Sequence, residues 1–200
     1  NNLIDKDNNT YSAEEYCTRV AGMLAGTTIR NGATYAILPE LEFCDHLEKK
    51  DRDAAIDAGK LILFDDGQEI KIARAVNSAT TGATSIRVTL VKTLIQNDIR
   101  KMIAENYIGR YANTYDNRCI LLAAIETYLD TTVQDSMIES GYTADFNLEK
   151  IKEWMKENDV NYSDMTDDEI IQYNTGKKVF VSGNVKILDM IEDFDLEFTI

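Results

Sequence analysis

The sequence predicts an α+β fold: a small mixed or antiparallel sheet that includes the C-terminal strand, packed by two long helices and interrupted by a short helical insertion. Three observations carry this prediction. Leu90, Leu94, Ile95, Ile99, Met102, Ile103 and Tyr107 recur at helical spacing over 88–107, and the apolar run 120–125 continues to Tyr128, Leu129 and Val133, which makes two long helices. The β-rich runs 61–64 and 70–76 flank Asp65-Asp66-Gly67-Gln68, a hairpin signature. At the end of the chain Phe194, Leu196, Phe198 and Ile200 alternate with Asp193, Asp195, Glu197 and Thr199, the period of a strand covered on one face.

Taken in order, Ser12 and Glu15 form a capping box that opens a helix over 12–25, with Tyr16, Val20, Met23 and Leu24 on its apolar face and Gly26 closing it. Residues 26–32 have turn chemistry, and 35–38 before Pro39 read as a short extended segment. The charged run 48–53 leads through Ala54, Ala55 and Ile56 to a glycine stop at Gly59, a short helix. The hairpin follows, and then a small, polar loop over 77–85. The first long helix keeps Arg100, Lys101 and Glu105 off its stripe and ends near Gly109. Asn113, Thr114, Tyr115 and Asp116 supply an N-cap cluster for the second, which is apolar on most of its circumference and is expected to be the most buried. From 142 to 175 nine acids face three bases, with Leu148, Ile151, Trp154 and Met155 as one amphipathic face and a second capping box at Thr166 and Glu169. This stretch reads as an acidic helical insertion at the surface, so the expected division is 1–141 with 176–200 as one domain and 142–175 as the insertion. Val179, Val181, Val185 and Ile187 return to strand patterning.

Composition narrows the function. Two hundred residues, 44% apolar and 28% charged, suit a globular domain that needs no metal or disulfide staple. With 35 acids against 21 bases the net charge is -14, which argues against nucleic acid and against an anionic membrane as partners. Cys17, Cys44 and Cys119 are expected as reduced thiols of a cytosolic protein. No signal-like or membrane-spanning run is visible, and a chain that begins at Asn1 suggests a piece of a longer polypeptide. His46 is the single imidazole and sits in an acidic run without a Ser or Cys partner pattern, so no catalytic residue is assigned. Asp5 and Asp7 begin like a calcium loop, but Thr10 and Tyr16 stand where glycine and glutamate belong, and no metal site or cofactor is expected. The alternative is a soluble α+β ligand-binding or enzymatic domain whose acids hold a divalent ion.

Several segments resemble one family. Glu14-Glu15-Tyr16, Arg19, Ala21-Gly22 and Ala25-Gly26-Thr27 resemble the "EEY..R.AG..AGT" segment of contractile tail sheath proteins, of the type found in phages of Gram-positive bacteria and their defective prophages or tail-like bacteriocins. Asn97-Asp98-Ile99-Arg100 and Glu105-Asn106-Tyr107-Ile108-Gly109-Arg110 are similar to the same family's "NDIR" and "ENYIGK" helix, and the 121–125 helix and the closing Phe198-Thr199-Ile200 fit as well. The resemblance implies the C-terminal part of a virion tail subunit, assembled in the bacterial cytoplasm and without catalytic activity. It implies stacking in sixfold rings around an inner tail tube protein, contraction triggered by the baseplate, and contact with tail terminator proteins. It implies an inter-subunit strand, for which Phe194, Leu196, Phe198 and Ile200 are the candidates, and a helix touching the tube, with Arg100, Lys101 and Arg110 as contacts. Loops 26–34 and 77–85 become candidate interfaces. The 142–175 segment matches no part of the family pattern and is expected to face solvent.

Overall fold

The computed structural model describes residues 2–79 and 84–197. They cluster into two compact units, Asn1–Thr93 with Asp189–Ile200, and Leu94–Leu188. Both units mix helices with small antiparallel sheets, as the α+β expectation required.

The first unit opens with β1 (Leu3–Asp5) and β2 (Thr10–Tyr11), which pair antiparallel, and α1 (Ala13–Gly26) follows. Ser12 caps α1 through the reciprocal box with Glu15 that the spacing predicts. β3 (Leu41–Cys44) joins the other edge of β1, giving the order β2-β1-β3 with a bulge between Ile4 and Asp5. None of these three strands is legible as a strand in the sequence. Each has two to four residues, too few to display a period, and β3 turns Leu41 and Cys44 inward three residues apart instead of alternating.

After α2 (Lys49–Asp57) come β4 (Leu63–Asp65) and β5 (Ile70–Ile72), the expected hairpin, in register Leu63 to Ile72 and Asp65 to Ile70. The extended segment 35–38 runs beside β5: the Tyr35 and Leu38 N–H groups donate to the Ile72 and Ile70 carbonyls at 2.8 Å each, and Ala36 accepts from the Ile72 N–H at 3.0 Å. Leu3, Tyr16, Leu38, Leu41, Ile70 and Ile72 form the core of this unit.

In sequence the boundary between the units falls inside α3 (Ile86–Asn106). The second unit continues with α4 (Tyr115–Gln134), β6 (Thr143–Phe146), α5 (Leu148–Glu157), α6 (Asp167–Gln172) and β7 (Val181–Asn184). Thr114 caps α4 through the Asn117 N–H, and the Thr166–Glu169 box caps α6. β6 and β7 pair antiparallel from Thr143–Asn184 to Phe146–Val181. The 142–175 segment has a small core of its own, with Ile151, Met155 and Ile170 buried among Trp154, Tyr173 and Phe180.

α4 carries more buried residues than any other described helix, as expected, and they form one stripe: Arg118, Leu121, Ile125, Leu129 and Thr132 are buried, while Ile120 is 51% exposed. A unit of this size packs one face of the helix and leaves the other uncovered. The C-terminal strand read in the sequence is not seen among the described residues: 188–197 carry no strand assignment, β7 is the last strand described, and 198–200 lie outside the described residues.

Candidate assembly surfaces

The C-terminal segment is anchored at its start and uncovered beyond it. The Thr34 hydroxyl donates to Glu192 Oε1 at 2.6 Å and accepts from the Ala75 N–H at 3.0 Å. Arg74 Nε lies 3.1 Å from Glu192 Oε2, and its Nη2 pairs with Asp193. Met190 packs on Gly32, where an added Cβ would meet Met190 Cγ at 3.2 Å. Past this anchor Phe194 is 76% and Leu196 70% exposed, with Ile191 at 80% before them. Phe198 and Ile200 lie outside the described residues. The alternation read in the sequence is therefore presented to solvent as an apolar row between carboxylates, a surface that invites pairing with another chain.

Arg100 and Lys101 are exposed on α3. Arg110 is exposed too, but it lies beyond the helix, in the connection to α4, because Gly109 at φ +74° breaks the helix after Asn106. Lys101 faces Glu105 at 4.0 Å with both side chains largely in water, a pairing of little energetic weight. Arg100 and Arg110 make no ion pair among the described residues, so both charges stand free for a partner. In the loops named as interfaces, Ile29 accepts from Arg87 Nε at 2.9 Å, and Asn77 Nδ2 donates to Thr84 Oγ1 at 2.8 Å.

The second unit also contains a groove that the sequence did not announce. It encloses about 740 Å3 between the end of α3, the first half of α4 and residues 176–181, with Ile103, Ile108, Leu121, Ile125 and Val179 among its walls. Arg118, only 3% exposed, lines it and has no carboxylate partner among the described residues. Its Nη2 donates to the Gln172 and Tyr173 carbonyls at 3.1 and 3.2 Å, and its guanidinium carbon stands 5.9 and 5.8 Å from the Tyr115 and Phe146 ring centroids. Among the described residues Arg118 Nε has no hydrogen-bond partner, and neither has the buried Asn113 Oδ1 in the same groove. Burial pushes the Arg118 guanidinium below its ordinary range, the mark of a charge held without its counter-charge. A lone arginine opening an apolar helix was the available signal.

The residues weighed for chemistry are not brought together. Asp5 accepts from the Asp7 and Asn9 N–H groups, Asn9 Nδ2 and the Tyr11 hydroxyl, so its oxygens are occupied by the β1–β2 turn rather than open to an ion. Asn9, then Tyr11 and Asp7, hold its carboxyl below the usual range. No group of three potential ligands gathers among the described residues. His46 is exposed, and Cys17, Cys44 and Cys119 are free thiols, with Cys44 pushed up chiefly by burial. No described helix is long and apolar enough to cross a membrane.

Comparison with known proteins adds to this geometry. Residues 78–200 match the phage tail sheath C-terminal domain family. The chain is 36% identical over 197 residues to the tail sheath protein of Clostridium phage phiCD119, covering 95% of this chain and 55% of that protein, so it spans about half the length of the curated relative. Among solved structures it is similar to the sheath tail protein of Desulfitobacterium hafniense, with a TM-score of 0.62 and 21% identity over 72% of this chain and 37% of that one. It is also similar to the helical sheath of the anti-feeding prophage in its contracted state, with a TM-score of 0.67 and 15% identity over 99% of this chain and 54% of that one. At these identities the structural likeness is one of fold.

Proposed function

The chain belongs to the phage tail sheath C-terminal domain family, and from that premise we propose that it is part of the structural subunit of a contractile tail sheath, located in the virion tail and assembled in the bacterial host. Its subunits polymerise as sixfold rings around an inner tube and contract to drive that tube through a target envelope. The work comes from the free-energy difference between two packings of one subunit and needs no catalytic group.

The observation that carries the reading is the exposed alternation at the C-terminal end. Phe194 and Leu196 are solvated in the single chain although both are large and apolar, and they follow a segment pinned by Glu192 and Asp193 to Thr34 and Arg74. A pinned root with a free apolar strand suits donation of that strand to a neighbouring subunit, with Phe194, Leu196, Phe198 and Ile200 as its paired face. Arg100, Lys101 and Arg110 are assigned to the tube-facing side, and baseplate and terminator proteins bind at the ends of the stack. The net charge of -14 keeps free subunits apart until a template offsets their repulsion. Electron micrographs of the full-length product under assembly conditions test the proposal: tubes or sheaths support it, and monodisperse particles refute it.

A further inference from the structure

We propose that Thr34, Arg74 and Glu192 form an ionic latch that positions the C-terminal segment for assembly: closed, it fixes the direction in which the chain leaves the first unit, and open, it frees the chain from Glu192 onward without unfolding that unit. The positioning role rests on the strand-donation reading above, whereas the latch itself stands on contacts within the first unit alone.

The first argument is how little else holds the segment. Ile191, Phe194 and Leu196 are largely solvated, so apolar burial contributes little past Met190, which rests on Gly32. Among the described residues, the polar contacts of 190–197 with the rest of the unit come from Glu192 and Asp193. They are unequal. The Glu192 side chain is 15% exposed and uses both oxygens, Oε1 on the Thr34 hydroxyl at 2.6 Å and Oε2 on Arg74 Nε at 3.1 Å. Charge-assisted contacts of a sheltered carboxylate are strong ones. The Asp193 side chain is 82% exposed and adds only a screened surface pair to Arg74. One sheltered carboxylate is therefore the fastening.

The second argument is that this fastening opens without stranding a buried polar group. Thr34, Arg74, Glu192 and Asp193 line one cleft of about 560 Å3, wide enough for water to replace each partner that Glu192 gives up. The Thr34 hydroxyl keeps its bond from the Ala75 N–H at 3.0 Å, so the socket holds its shape. Asp53 lines the same cleft and adds to the negative field at Arg74, so the guanidinium retains a carboxylate neighbour when Glu192 leaves. Met190 on Gly32 remains as the pivot. A segment fastened at Glu192 samples few directions, and that lowers the ordering cost when Phe194 and Leu196 meet a neighbouring subunit.

Limited proteolysis with chymotrypsin tests the latch. Cleavage after Phe194 needs several residues on each side of the bond to enter the protease extended, so its rate follows the open population. Arg74→Met and Thr34→Val leave the sequence around the bond unchanged, and each should speed that cleavage by roughly tenfold while cleavage within the β4–β5 hairpin stays at the parental rate. Arg74→Lys, which keeps the charge but loses the fork, should recover most of the protection. Cleavage after Phe194 at the parental rate in both variants overturns the latch. Should Arg74→Met fail to fold, Thr34→Val decides together with Glu192→Gln, whose rate is divided by that of the matching free peptide. Light scattering tests the positioning: Arg74→Met should require about fivefold more protein to polymerise. Polymerisation at the parental concentration despite fast cleavage overturns the positioning role. If F194A/L196A polymerises normally, strand donation itself fails, and the cleavage rates still decide the latch.

Discussion

Replacing Phe194 and Leu196 together by alanine should leave the isolated chain almost as stable as before and remove its ability to assemble. Full burial of a leucine or phenylalanine is worth about 1.5–3 kcal/mol. With Phe194 76% and Leu196 70% exposed, less than a third of each is buried in the single chain, so truncating both costs folding roughly 1 kcal/mol in total. For a chain of this length that lowers the midpoint of thermal unfolding by only about 2–4 °C. Buried in an interface, each truncation costs at least about 2 kcal/mol, and the pair about 4 kcal/mol. That corresponds to a loss of roughly a thousandfold in association constant at each contact. Thermal melts monitored by circular dichroism give the first quantity, and light scattering with electron microscopy over a range of protein concentration gives the second. A double variant that melts more than about 8 °C below the parent would place these side chains in the chain's own core. One that polymerises at the parental concentration would remove them from the interface. Either result refutes the reasoning.

Three further outcomes follow from the same structure. Met155→Ala, at a fully buried position packed with Ile151 and Ile170, should destabilise the second unit by about 2–5 kcal/mol, seen as faster amide exchange through α5 and α6. Gly59 and Gly109 both sit at φ +74°, but an added Cβ at Gly59 would lie 2.6 Å from the Ala79 carbonyl oxygen while at Gly109 it meets nothing within 4 Å. In chemical denaturation Gly109→Ala should therefore cost about 1 kcal/mol from backbone strain alone, and Gly59→Ala clearly more. Lys71, with the Glu69 and Gln68 N–H groups, holds Asp66 down from 3.8 to about 2. A pKa lowered by folding stabilises the hairpin above the unfolded value, and that contribution is lost as pH falls from about 4 towards 2. Lys71→Met should move the NMR titration of Asp66 back towards its ordinary value.

The helices were legible because their signals are local. The Ser12–Glu15 and Thr166–Glu169 boxes and the Thr114 cap sit where α1, α6 and α4 begin, since a cap satisfies orphan amides within one turn. The hairpin around Asp66 and Gly67 is local for the same reason. β1, β2 and β3 were not legible, because each has only two to four residues, β3 joins β1 by pairing across some forty positions, and the bulge at Ile4 and Asp5 erases the alternation. The apolar run 120–125 pointed to α4 as the most buried helix, and it is, but apolar composition does not say which face is covered: Leu121 and Ile125 are buried while Ile120 is exposed. Of the candidate surfaces, the cations at Arg100, Lys101 and Arg110 and the alternation of Phe194 and Leu196 could be named from the sequence. That Arg118 and Asn113 line one groove, each with a buried polar atom unpartnered among the described residues, could not, since that depends on which distant segments pack around them.

By itself, then, the sequence determined the class of the fold, the helix starts, the hairpin and the charge that makes self-repulsion a property of the free subunit, because each depends on neighbours within a few residues or on composition alone. The tertiary structure decided which apolar surface stays uncovered. Phe194 and Leu196 have the same pattern as a buried strand, and only the anchoring of Glu192 and Asp193 on Thr34 and Arg74, with no strand pairing over the described residues 194–197, separates a sheet member from a segment held out to solvent. Burial is a sum over contacts distant in the chain, so whether an alternating segment lies inside its own domain or is presented to another is settled by packing, not by its period.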